Sequence, residues 1–181
     1  MKLVRLTWVL LFVAAITLPA ATASAQTIQV TPLTRDDRVL VTFRLTDVFT
    51  EDVRAAIHSG MTITFIYDVE LRRGASLWID RTMASSTVSA GVRYDNLTRR
   101  YHVTRRWDGR MERVEVLERE EDVRDWLTNF DKLSLFSNAA LEPNAEYYLR
   151  VRARTTPRNA AFVWPWSNSD VAGLAKFTFL R

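Results

Sequence analysis

His58 and His102 are the only imidazoles in the 181-residue sequence, and cysteine is absent. The two histidines stand in no H-x-x-x-H or H-x-H spacing, so the pattern that brings two imidazoles onto one metal is missing. The lack of thiols removes thiolate metal sites and cysteine nucleophiles. Serine hydrolase chemistry calls for a G-x-S-x-G elbow, which does not occur, and the five glycines are too scattered to cradle a phosphate. Carboxylates offer one opening. Asp68, Glu70 and Asp80 lie near one another around Trp78, and two acids beside an aromatic platform are what a glycosidase needs. Against this, Asp68 and Glu70 occupy polar positions of an alternating segment, where solvated acids are ordinary. The acidic run from Glu118 to Asp122 suits the positive end of a following helix. These residues predict no enzyme, no metal and no cofactor, with an envelope glycan hydrolase using Glu70 and Asp80 as the alternative.

Basic and aromatic residues are the better candidates for binding. Arg150, Arg152 and Arg154 recur at every second position and so share one face of a strand, while Arg99, Arg100, Arg105 and Arg106 cluster in another segment. Should those faces adjoin, they form an arginine stripe able to fork onto phosphates or carboxylates. The competing expectation is a solvent face whose arginines pair across strands with Glu112, Glu115 and similar acids. Trp164-Pro165-Trp166 offers either a stacking platform or a plug for one end of a sandwich. The net charge of +4 includes Lys2 and Arg5 of the N-terminal leader described below. The rest of the chain is therefore near balance, and no nucleic-acid partner is expected. Asn96-Leu97-Thr98 matches a glycosylation sequon, which by itself carries no weight.

The elements that must carry these residues are mostly strands. Met61, Ile63, Phe65, Tyr67, Val69 and Leu71 alternate with polar residues, the period of a strand with one buried face. Thr27 to Leu33 and Arg38 to Leu45 read as an opening pair joined by the turn Thr34 to Asp37. Ser86 to Tyr94, Arg99 to Arg106 and Met111 to Leu117 form a meander broken at Asp95-Asn96 and Asp108-Gly109. Glu146 to Thr155 and Leu174 to Leu180 close the strand content. Two helices interrupt it. Thr50 caps Glu51 to Ser59, which Gly60 terminates, and a second helix runs from about Glu121 to Phe130 with Val123, Trp126, Leu127 and Phe130 on one stripe.

The first 25 residues supply an address. Lys2 and Arg5 precede an apolar run from Thr7 to Leu18, and Ala23-Ser24-Ala25 follows Pro19 in the pattern a signal peptidase cuts after. A membrane anchor would need about 20 apolar residues. A cleaved signal peptide (1–25) and one domain over 26–181 are expected, in the periplasm or secreted, with no integral span after cleavage. With 48% hydrophobic and 25% charged residues, the chain has the composition of a folding protein.

The segment Leu141-Glu142-Pro143-Asn144-Ala145-Glu146-Tyr147, followed by Leu149, Val151 and Ala153, resembles the penultimate-strand signature of fibronectin type III and related sandwiches. The resemblance implies a tyrosine corner, with Leu141 and Pro143 shaping the bend and the Tyr147 hydroxyl bonded to backbone a few residues upstream. The fold expected is therefore mainly β, an antiparallel immunoglobulin- or fibronectin III-like β-sandwich with two short accessory helices. A small outer-membrane barrel is the minority alternative, opposed by the ending Phe179-Leu180-Arg181 in place of a terminal aromatic residue.

Trp78-Ile79-Asp80-Arg81, followed by the run from Val92 to Tyr101 that includes Tyr94, resembles the central motif of the exported bacterial family known as domain of unknown function 4390. Gly60 and the Leu141 to Tyr147 segment fall in the family's order, so the likeness spans most of the chain after the leader. Trp78, Asp80, Tyr94 and Tyr101 are accordingly taken as structural. The chain departs from the family at Val163-Trp164-Pro165-Trp166-Ser167. The family brings no established activity. Its members are often encoded beside a sensor kinase of the nitrogen-regulation type, which implies a partner to test. The function expected is an exported, non-catalytic domain that binds a protein or envelope component.

Overall fold

The computed structural model describes residues 27–74, 81–156 and 171–180. The segment expected to be a signal peptide, Trp78, Asp80, Trp164 and Trp166 lie outside the described residues. The chain runs β1 (Ile28–Arg35), β2 (Arg38–Leu45), α1 (Glu51–His58), β3 (Ile63–Arg73), β4 (Arg81–Asp95), β5 (Arg100–Trp107), β6 (Arg110–Leu117), α2 (Glu120–Thr128), β7 (Asn129–Ser137), β8 (Glu146–Thr156) and β9 (Val171–Thr178). All strand pairs are antiparallel, in a three-stranded sheet of order β1-β2-β7 and a six-stranded sheet of order β6-β5-β4-β3-β8-β9. The two sheets form a β-sandwich. Both are open, which overturns the barrel alternative: closure would require the first and last strands of one sheet to pair. Among the described residues no helix is long and apolar enough to cross a membrane.

Alternation explains the core. Ile63, Phe65, Tyr67, Val69 and Leu71 of β3 are buried and meet Val39, Val41 and Phe43 of the smaller sheet. At the centre the Phe43, Tyr67 and Phe130 rings come together, with centroids 4.6 to 5.0 Å apart. Burying aromatic and aliphatic side chains from two facing sheets is the main source of stability available to a chain without disulfides. The sheets come close together where β1 passes over β9: a Cβ added at Gly173 would stand 2.4 Å from the Ile28 carbonyl oxygen.

Turn chemistry sets the hairpins. Asp36 and Asp37 both have positive φ between β1 and β2, as do Asp108 and Gly109 between β5 and β6, the geometry of a tight two-residue reversal. The α1 cap is Thr50, whose hydroxyl accepts the Val53 N–H at 3.4 Å, and Gly60 follows the helix at φ +83°.

Several sequence expectations differ here, among them the last strand, which runs Val171–Thr178 in place of Leu174 to Leu180. The second helix stops at Thr128, and Phe130 lies in β7, a strand the alternation does not announce. Its register against β2 shifts twice, setting Asp131 and Lys132 against the single Thr42 and leaving Leu135 unmatched. Thr42 fastens the first irregularity, donating to Asp131 Oδ1 at 3.0 Å and accepting the Lys132 N–H at 3.0 Å. Bulges break the two-residue period that sequence reading relies on. The fourth strand begins at Arg81, upstream of the expected Ser86.

Candidate interaction surface

The six-stranded sheet buries one face against the sandwich and turns the other outward. Registers fix which residues face out: Asp68, Glu70 and Arg72 on β3, Ser85, Thr87, Ser89 and Arg93 on β4, His102, Thr104 and Arg106 on β5, and Arg150, Arg152 and Arg154 on β8. The β8 arginines thus share a face, as their spacing predicts. The acids that answer them are those of β3. Arg152 Nη2 donates to Glu70 Oε1 at 2.6 Å, and Arg154 Nε donates to Asp68 Oδ2 at 3.0 Å. Each pair runs diagonally across the ladder, because Asp68 stands opposite Arg152 and Glu70 opposite Arg150. Thr87 adds a donor to Asp68 at 3.2 Å.

The second arginine group does not join this row. Strands β3 and β4 lie between β8 and β5, since the chain returns from Pro143 to pair with β3. Arg99 sits in the β4–β5 turn at φ +57°, and Arg100 pairs with Glu118 at 3.1 Å. Glu115 pairs with Arg113 of its own strand at 2.5 Å. Arg105 faces inward. Its guanidinium lies against the rings of Trp126 and Phe130, and Nη2 donates to the carbonyls of Trp126 at 2.7 Å and Asn129 at 2.9 Å. It therefore closes the C-terminal end of α2, where a cation suits the helix dipole. Burial, followed by the nearby Arg113 charge, lowers its pKa from the usual guanidinium value. Parity was the available signal: Tyr101, Val103, Arg105 and Trp107 fall on one face, and that face is the apolar one.

The residues taken as structural divide as follows. Tyr147 is fully buried, and its hydroxyl accepts the Glu142 N–H at 2.7 Å, five residues upstream, beside a buried Leu141. Pro143 follows Glu142 in the same bend, which Arg73 ties to β3: its guanidinium bonds both Glu142 oxygens and holds that carboxyl below the usual range. The Tyr94 and Tyr101 rings lie tilted against each other with centroids 4.8 Å apart, and the Tyr101 hydroxyl and His58 Nε2 are 3.2 Å apart. Burial first, then the Glu120 charge, raises the Tyr101 hydroxyl. His102 Nε2 is 4.0 Å from Asp95, on the outer face and away from His58. A cleft of about 480 Å³ opens near Asp36, Asp37, Asn138 and Pro143, and neither Asp68 nor Glu70 lines it. Among the described residues no three metal-ligating side chains converge.

No curated protein and no solved structure matches this chain. The family model described as Domain of unknown function (DUF4390) matches residues 20–160, most of the sequence including the core strands and the Tyr147 bend, and the chain belongs to that family.

Proposed function

We propose that the chain is an exported, non-catalytic binding domain that works in the periplasm and holds an acidic protein segment against the outer face of its six-stranded sheet. The observation that carries this reading is the imbalance of charge on that face. Arg72, Arg93, Arg106, Arg150, Arg152 and Arg154 stand there against Asp68 and Glu70, while at the strand ends Arg100 and Lys176 are matched by Asp95, Glu118 and Glu146. Arg152 and Arg154 already hold carboxylates on this face, so the spacing suits further ones. The sensor kinase suggested by the family resemblance is the first partner to examine.

Crosslinking in living cells followed by mass spectrometry tests the proposal, using the full-length chain and an Arg93→Glu, Arg106→Glu variant. A partner recovered with the wild type and lost with the variant supports it. No reproducible partner, or one retained by the variant, overturns it, as does capture only by anionic vesicles. The intact mass of the exported form should begin at Gln26; a full-length cytoplasmic product would sink the periplasmic assignment.

A further inference from the structure

Strand β6 ends the six-stranded sheet, and its polarity is reversed relative to its neighbours. On the outer face, where β3 and β8 are charged, it exposes Met111, Val114 and Val116 at 51%, 59% and 49%. On the inner face, where other strands are apolar, it carries Arg113 and Glu115. Nearly the whole strand is exposed, so no described element covers its free edge. An uncovered edge is a template for another strand. The inward charges and the bulged Glu112, which is left unmatched between the Arg105–Arg113 and Arg106–Met111 pairs, bar indiscriminate partners.

We infer that this edge pairs with the β6 of a second copy of the chain, antiparallel about a two-fold axis at Val114. Symmetry restricts the choices. In a two-fold antiparallel pair each residue must meet one on the same face, so the axis passes through a residue and not between two. Centred on Arg113 or Glu115, it sets identical charges face to face. At Val116 it leaves Glu115 opposite Leu117. At Val114, the Arg113 of each copy meets the Glu115 of the other and the two Val114 side chains meet on the outer face, with the bulged Glu112 falling opposite Val116 as the one mismatch beside these contacts. The Arg113–Glu115 contact within one chain, at 2.5 Å, shows that the two side chains are long enough to meet. Opposite charges directly across a strand pair stabilise it and like charges destabilise it. The pairing also gathers the exposed valines of both copies into one apolar strip and continues the sheet from one protomer into its partner.

Charge complementation tests the pairing on the purified exported form by light scattering and sedimentation. Wild type should be dimeric. Arg113→Glu alone or Glu115→Arg alone sets like charges together twice and should weaken the dimer by about tenfold or more. Mixing the two variants restores both opposite-charge contacts and should restore the dimer, an outcome that damage to the fold of either chain could not produce. Since the protein lacks cysteine, single cysteines report the register. Val114→Cys should form a disulfide-linked dimer under mild oxidation, the paired Cα atoms being about 4.5–5.5 Å apart. Met111→Cys should not, because its two copies stand about 20 Å apart along the strands. A monomeric wild type, failure of the mixture to associate, or equal crosslinking at both positions would overturn the inference.

Discussion

Arg105 holds Trp126 in two ways: its guanidinium carbon lies 4.4 Å from the centre of the indole, and Nη2 donates to the Trp126 carbonyl at 2.7 Å. The same nitrogen reaches the Asn129 carbonyl, where the chain passes from α2 into β7 without an intervening loop. One side chain from the larger sheet thus fixes the junction that delivers β7 to the smaller one. Arg105→Ala strips the charged donor from both carbonyls and the cation from two rings, and should lower stability by about 3 kcal/mol. Arg105→Lys keeps the charge without the fork and should recover only part of it. Urea denaturation checks both, and an alanine variant with an unchanged midpoint would refute the junction role.

Tyr147→Phe isolates the bend before β8. The ring and its burial remain, while the Glu142 N–H loses the hydroxyl it donates to at 2.7 Å. The expected loss is about 1 kcal/mol, the usual worth of one such bond. An unshifted denaturation midpoint would remove the hydroxyl from the account of this corner.

Sequence periodicity and the structure agree where strands are regular and part where the chain is bulged or reversed in polarity. The alternation of β3, the Asp-Gly turn at Asp108 and the Thr50 cap are local signals, and each has its expected structural counterpart. The irregularities at Asp131-Lys132 and Leu135 hide β7 in the sequence, because they shift its phase so that Phe130, Leu133 and Phe136 recur at every third residue and not at every second. Arg105 was legible by parity, but its charge directed the reading toward solvent. That β8 pairs with β3 and not with the meander is a matter of topology, and no residue spacing encodes it. The acids answering Arg152 and Arg154 depended on that topology.

Gly173→Ala should be costlier than Gly91→Ala. At Gly173 the new Cβ would stand 2.4 Å from the Ile28 carbonyl and 2.9 Å from Ile28 Cβ, and backbone must move to make room. At Gly91 its nearest neighbours are the hydroxyls of Thr104 and Thr64, at 2.9 and 3.3 Å, on side chains that can rotate. Overpacking of the first kind costs about 1–3 kcal/mol. Comparison of the two thermal midpoints decides it, and a Gly173→Ala protein as stable as Gly91→Ala would mean that β1 is free to move off β9.

Tyr67→Phe separates a hydrogen bond from a protonation effect. The Tyr67 hydroxyl, fully buried between the sheets, donates to the Leu127 carbonyl at 2.6 Å, so near neutral pH the variant should lose about 1 kcal/mol. Burial pushes the hydroxyl pKa of Tyr67 far above its ordinary value, against the opposing Arg105 charge. In the unfolded chain it ionises near pH 10. A raised folded pKa contributes its stability in full below the unfolded value and loses it as pH climbs from there toward the folded one. Above about pH 10, wild-type stability should therefore fall more steeply than that of the variant, the difference in slope approaching about 1.4 kcal/mol per pH unit. The two curves should draw together as pH rises, because phenylalanine has no proton to lose. Denaturation midpoints measured from pH 8 to pH 11 give the comparison, and curves that stay parallel throughout would show that the folded chain releases the Tyr67 proton as readily as the unfolded one.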